Sequence, residues 1–193
     1  MSAGKILVLL MMGAALGVGA GAAIWFAPDS SPAPSAQATP GRPRAAITAA
    51  PAPIVGAQAP DFSLSDLQGR PFTLSGASGK AVLINFWATW CDPCREELPL
   101  LDGIAKKYPG SLRVIAVETG EPEEDVRAFA DSLSLTALTI LLDPSLAVRD
   151  RYLVRGLPTS FFINASGAVA QIKIGALDSS EIDSILSRMG VAA

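Results

Sequence analysis

Ala81-Val82-Leu83-Ile84-Asn85-Phe86-Trp87-Ala88-Thr89-Trp90-Cys91-Asp92-Pro93-Cys94 is the stretch on which the reading of the fold turns. Ala81 to Phe86 is a nearly continuous apolar run, the pattern of a strand buried on both faces. A helix is expected to begin near Cys91 and to continue to about Lys107. Two cysteines three apart at a helix start can close a small disulfide without unwinding the chain. The first sits where free N–H groups and the helix dipole favour an anion, which populates the nucleophilic thiolate. The second lies one turn deeper and is shielded. Cys91 can then attack a partner disulfide, and Cys94 can resolve the mixed disulfide that forms. Two other uses stand beside this one. A structural disulfide closing so short a loop removes little unfolded-state entropy and is a poor staple. Copper(I) accepts two thiolates readily.

Working outward, strand and helix signals alternate from about Ala57 to Ala193. Phe62-Ser63-Leu64 and Pro71-Phe72-Thr73-Leu74 flank the turn Leu67-Gln68-Gly69-Arg70 and predict an N-terminal hairpin. Leu112 to Val117 reads as a second buried strand, and Glu121 to Leu133 as a helix with an acidic first turn. Thr139 to Leu142 and a short helix from Leu146 to Tyr152 come next. Thr159 to Ile163 and Val169 to Ile174 form a hairpin across Asn164-Ala165-Ser166-Gly167. A last helix starts at Asp178, with Glu181 three residues on in a capping-box-like pair. Strands separated by helices imply parallel pairing, and the closing hairpin adds antiparallel strands. The expected fold class is α/β, a mixed sheet with helices on both faces and an N-terminal β-hairpin extension.

Two segments precede that domain. Ile6 to Ala27 is free of charge and follows Lys5; as a helix it spans about 33 Å, enough to cross a bilayer core. Residues 1–27 are therefore expected to be a membrane anchor or signal segment. Ala20-Gly21-Ala22 and Ala36-Gln37-Ala38 resemble small-residue cleavage sites, so a secreted soluble form is the alternative. Residues 28–56, rich in Ala, Pro and Ser, read as an extended linker that cannot bury enough surface to fold. Residues 57–193 form the expected domain.

Composition narrows the chemistry further. The chain of 193 residues has no histidine and no cysteine besides Cys91 and Cys94. Ser-His-Asp and Cys-His catalysis are excluded, as is any zinc site needing more ligands than one cysteine pair supplies. From Ala57 onward 12 Lys/Arg face 17 Asp/Glu, a net of −5, which argues against nucleic acid as a partner.

The segment Ile84-Asn85-Phe86-Trp87-Ala88-Thr89-Trp90-Cys91-Asp92-Pro93-Cys94-Arg95-Glu96-Glu97-Leu98-Pro99 resembles the active-site segment of thioredoxin-like proteins tethered to bacterial membranes, the ResA and TlpA type. The resemblance runs from Ala59-Pro60-Asp61-Phe62 through Gly156-Leu157-Pro158-Thr159 and covers essentially the whole exported domain. It implies a thioredoxin-like fold in which Cys91 attacks and Cys94 resolves. It implies a cis-proline at Pro158 facing the disulfide, with Trp90, Leu157, Pro158 and Thr159 binding the extended substrate strand. Glu97 matches the carboxylate that membrane-tethered members place near the cysteines and is the candidate proton acceptor for Cys94; a solvated surface glutamate is the plain alternative. Asn85 stands where thioredoxin has a buried aspartate, which makes Glu97 the more attractive candidate.

The resemblance implies a thiol–disulfide oxidoreductase without cofactor or metal. Its expected clients are exported proteins with cysteine pairs, either apocytochrome c or copper-receiving proteins, and its electrons come from a membrane thiol carrier. Residues 6–27 would hold it in the bacterial inner membrane as a single pass, with the domain in the periplasm. An extracytoplasmic copper(I) chaperone and a thiol peroxidase are the alternatives. The peroxidase would need a Pro-x-x-x-Thr-x-x-Cys segment, whereas Thr89 lies two before Cys91. Related copper chaperones use a Cys-x-x-x-Cys pair and a distant histidine, and the chain has neither.

Overall fold

Seven apolar or neutral residues in a row can be buried together only where both faces of a sheet are covered, and Ala81–Trp87 meets that condition along its whole length. The computed structural model describes residues 50–192. The expected membrane segment and the linker up to residue 49 lie outside the described residues. Among the described residues no helix is long and apolar enough to cross a membrane.

The strands are β1 (Ser63–Asp66), β2 (Pro71–Thr73), β3 (Ala81–Trp87), β4 (Leu112–Glu118), β5 (Thr139–Leu142), β6 (Thr159–Ile163) and β7 (Val169–Ile174). The α-helices are α1 (Asp92–Lys107), α2 (Glu123–Ser132), α3 (Ala147–Arg151) and α4 (Ser179–Arg188). The sheet order is β2-β1-β5-β4-β3-β6-β7. Strands β3, β4 and β5 run parallel, joined by helical crossovers. β6 lies antiparallel to β3, and β7 antiparallel to β6. The β1–β2 hairpin extends the other edge through β5.

Alternate residues of β3 feed two cores. Leu83 and Trp87 pack with Leu98, Leu101 and Ile104 of α1, Val126 of α2, and Ile182 and Leu186 of α4. Val82, Ile84 and Phe86 pack on the opposite face with Val148 and Tyr152 at α3 and with Phe62 ahead of β1. Helices therefore cover both faces as expected, unevenly, with only the short α3 and the 3-10 turn Leu74–Ala77 on the second. That face is closed instead by aromatic edges, with Tyr152 and Phe161 rings T-shaped at 5.0 Å. Tyr152 donates its hydroxyl to the Pro60 carbonyl at 2.7 Å, which ties the N-terminal approach to this core.

Two boundaries differ from the sequence expectation. α2 begins at Glu123 rather than Glu121, with Pro122 at its cap, because the Glu121 side chain is engaged elsewhere. At α4 the Asp178 side chain accepts the Glu181 N–H at 2.8 Å, but the Glu181 carboxylate pairs with Lys173 rather than returning to the cap. The capping box is thus half made.

Candidate functional site

Parallel strands β3 and β4 end at the same edge of the sheet, and β3 delivers the Ala88–Trp90 loop there before α1 begins. Cys91 is the N-cap of α1 and accepts the Arg95 N–H at its carbonyl, at 3.0 Å. It forms a disulfide with Cys94, with Cα atoms 5.2 Å apart. Cys91 keeps 6% of its surface exposed, whereas Cys94 keeps none. This asymmetry is what an attacking and a resolving thiol require. Trp90, immediately ahead, is 69% exposed, a large apolar ring left on the surface beside the disulfide. Trp87 is fully buried and belongs to the core. The Asp92 side chain is in solvent, within 3.8 Å of Arg95.

The Leu157–Pro158 peptide bond is cis. Thr159, the next residue, is opposite Phe86 in the β3–β6 register, so Leu157 and Pro158 stand at the same end of the sheet as the cysteine loop. The Pro158 carbonyl accepts the Gly175 N–H at 2.9 Å, and the Thr159 hydroxyl donates to the Gly156 carbonyl at 2.7 Å. Those bonds fix the turn. The N–H and carbonyl of Leu157 make no backbone hydrogen bond among the described residues.

Glu97 lies one turn beyond Cys94 on α1 and is 3% exposed. Both its oxygens are bonded. Oε1 accepts the Leu177 N–H at 2.8 Å, and Oε2 accepts Asn85 Nδ2 at 2.9 Å. The same Nδ2 donates to Ser160 Oγ at 2.9 Å, while Asn85 Oδ1 is buried without a partner among the described residues. Burial raises the Glu97 pKa above the ordinary glutamate value; the two N–H donors and the Lys173 ammonium oppose the rise, and the Glu181 carboxylate adds to it. The surface-glutamate alternative does not hold.

A pair of carboxylates, Glu118 and Glu121, sits under the loop. Glu118, the last residue of β4, lies opposite Trp87 and is fully buried. Its Oε1 accepts the Glu121 N–H at 2.9 Å, and its Oε2 has no partner among the described residues. Glu121 in turn accepts the Thr89 N–H at 2.6 Å and the Thr89 hydroxyl. Between them Gly120 takes φ +92°, a conformation that favours glycine, and a Cβ there would have to displace the Leu146 Cδ2 methyl, 2.8 Å away. Thr89 precedes Cys91 by two residues. The pair therefore anchors the loop that carries Trp90.

Comparison with known proteins places this arrangement. The AhpC/TSA family model matches residues 55–172. The chain belongs to the AhpC/TSA family. It is 41% identical over 131 residues to the thioredoxin-like protein YneN of Bacillus subtilis, covering 66% of the chain and 76% of that protein. It is 40% identical over 129 residues to the thiol-disulfide oxidoreductase ResA of Geobacillus thermodenitrificans, covering 66% of the chain and 74% of that protein. Among solved structures it is similar to a thiol:disulfide interchange protein DsbE from Chlorobium tepidum, at TM-score 0.66 and 29% identity, over 70% of the chain and 97% of that structure.

Within this AhpC/TSA member, the Cys91–Cys94 pair makes the chain a thioredoxin-like thiol–disulfide oxidoreductase. The fold brings the expected cysteines, Trp90 and the Leu157–Pro158–Thr159 turn to one sheet end and buries Glu97 on the cysteine helix. Four contributors were missed in the sequence: Ser160, Thr89, Glu118 and Glu121. Only Glu118 carried a signal, as a carboxylate closing the otherwise apolar run Val114-Ile115-Ala116-Val117. The other three are polar residues whose partners lie 32 or 75 positions away, beyond local patterning.

Proposed function

We propose that the protein reduces cysteine pairs of exported client proteins, those of apocytochrome c or of copper-receiving proteins. The Cys91 thiolate, favoured at the N-terminus of α1, attacks one sulfur of a client disulfide. A Cys91–client disulfide forms, and the client's other sulfur leaves as thiolate. Glu97 takes the Cys94 proton, and the Cys94 thiolate attacks Cys91 Sγ. The Cys91–Cys94 disulfide closes and the second client thiol is released. The client gains two electrons, and the pair loses them. A membrane thiol carrier returns the pair to its dithiol form.

The observation that carries this reading is the pairing of a fully buried Cys94 with a buried carboxyl one turn along the same helix. A shielded thiol loses its proton slowly unless an acceptor is built in beside it. Trp90 supplies an apolar face for the client. The unbonded N–H and carbonyl of Leu157 offer an extended client strand a backbone pair next to cis-Pro158. The apolar segment at residues 6–27 supports a single-pass anchor in the bacterial inner membrane, with residues 28–56 as a linker whose last stretch is hydrogen-bonded to the domain at Ala52 and Gly56, and residues 57–193 as a periplasmic domain.

Replacement of Cys94 by alanine tests the proposal. Cys94→Ala should accumulate disulfide-linked adducts through Cys91 with exported proteins, which dissolve on treatment with a thiol reductant. Cys91→Ala should accumulate none. Adducts confined to cytoplasmic proteins, or formed equally by both variants, would contradict it.

A further inference from the structure

The Asn85 side chain raises a question of accounting. It is fully buried, its nitrogen donates twice, to Glu97 Oε2 and Ser160 Oγ, and its oxygen has no partner. A buried amide oxygen without a donor is costly. The opposite amide orientation would serve the ionised Glu97 worse, because two acceptor oxygens would then face each other. The observed orientation is the one that a carboxylate demands.

Protonation changes that demand. Glu97 Oε1 is held as an acceptor by the Leu177 N–H, so an added proton belongs on Oε2, whose only partner is Asn85 Nδ2. With the amide as it stands, the new O–H would point at a donor. Turned over by 180°, the amide puts Oδ1 where Nδ2 was and Nδ2 in the place of the unpartnered Oδ1, so one end of the amide is unpaired in either state. Oδ1 then accepts from Glu97 Oε2–H, and from Ser160 Oγ–H once that hydroxyl rotates. Asparagine fits both ends of this exchange because its carboxamide has nearly the same shape either way round. Ser160 fits because a hydroxyl both donates and accepts.

We propose that Asn85 is a positioning residue for Glu97, its carboxamide turning over so that Glu97 stays hydrogen-bonded with and without its proton. Asn85 thus lowers the penalty for moving a proton onto and off a buried carboxyl, and it extends the link to Ser160 on β6, two residues beyond cis-Pro158. The other charged groups acting on Glu97 are Lys173 of β7 and Glu181 of α4, themselves paired at 2.8 Å, so their contributions oppose one another. On its own helix the Cys91–Cys94 disulfide is uncharged. The inference rests on Glu97 gaining and losing a proton, and not on which thiol it serves.

The chain contains two asparagines, Asn85 and Asn164, so selective 15N-asparagine labelling of the full chain in detergent micelles gives two side-chain NH2 signals. Asn164→Asp removes one of them and keeps the Asn164 Oδ1 contacts to the Ser166 and Ala168 N–H groups, which a carboxylate can also accept. Titration of the oxidised protein from pH 4 to pH 9, with Glu97 followed through its carboxyl carbon and identified by Glu97→Gln, should show one shared midpoint. Above it, the Asn85 Nδ2 protons should give an NOE to Ser160 Hβ; below it, that NOE should vanish as the amide turns. A fixed amide would stabilise only the ionised form, so its loss in Asn85→Ala would raise the Glu97 midpoint; an amide that turns serves both forms, so the midpoint should stay close to the wild-type value, and a clear rise would count against the inference. A Glu97 that does not titrate, or an NOE that persists through its transition, would overturn the inference. The oxidised protein has no free thiol, so the result stands apart from the adduct test of the client reading.

Discussion

Replacing Glu118 by glutamine isolates the electrostatic load beneath the cysteine loop. Glu118 is fully buried, and one of its carboxyl oxygens has no partner. Burial pushes its pKa from the ordinary 4.5 up to about 7, the Glu121 N–H opposing the rise and the Glu121 carboxylate adding to it. The folded-state value lies above the unfolded one, so between those two pH values the folded protein keeps a proton that the unfolded chain has already lost. Stability therefore falls as pH rises through that window. The full interval corresponds to about 3 kcal/mol, of which about 2–3 kcal/mol falls between pH 5 and pH 8. Glutamine can still accept the Glu121 N–H and carries no charge at either pH. Its unmatched amide changes absolute stability, but that cost is the same at both pH values and cancels in the comparison. Urea unfolding of wild type and Glu118→Gln at pH 5 and pH 8 reads the difference directly. The midpoint of the variant relative to wild type should rise by about 1 M or more from the lower to the higher pH. Parallel pH dependence in the two proteins would refute a strained, proton-retaining Glu118.

Two further outcomes follow from buried carboxylates with fuller bonding. Asp102 of α1 is 4% exposed, its Oδ1 accepts the Thr136, Ala137 and Leu138 N–H groups at 2.7–3.0 Å, and its Oδ2 meets Lys106 at 2.6 Å; Asp102→Ala should cost about 2–4 kcal/mol in urea unfolding by orphaning those donors, and a loss under 1 kcal/mol would contradict it. Burial works against the Asp102 charge, but Lys106 and the three N–H groups outweigh it and hold its pKa below the usual 3.8; this stability is present above that value and lost as pH falls through the lowered one. Glu97→Gln should slow release of the second client thiol about 100-fold in stopped-flow assays at pH 7. It should also remove a limb of the pH profile that rises, in wild type, above the ordinary carboxylate range; an unchanged profile would separate Glu97 from the resolving step.

Much of this molecule was legible in the chain because its fold is written in contiguous signals. The apolar run at Ala81–Phe86 marked the central strand, and its placement before Cys91 and Cys94 put the cysteines at a helix start. The order of strands and helices followed from alternation alone. Glu97 was legible as a candidate, but its burial was not. Three positions past Cys94 is a neighbouring face of α1, and whether that face meets solvent depends on Leu177, 80 residues away. Asn85 read as the counterpart of thioredoxin's buried aspartate, but its partner Ser160 follows only from the β3–β6 register, which sets the two residues opposite one another. The expected start of α2 at Glu121 failed for a related reason. Acidic residues in a first turn suit a helix dipole, but Glu121 is drawn back across the sheet end to Thr89, and Pro122, which lacks an N–H to offer, caps the helix.

A reducing role stands or falls with the equilibrium reduction potential of the Cys91–Cys94 pair, measured in a thiol buffer at pH 7. A value near the roughly −270 mV of thioredoxin is predicted for a donor of electrons to client cysteines. A value near −120 mV, typical of a disulfide-forming oxidant, would contradict it.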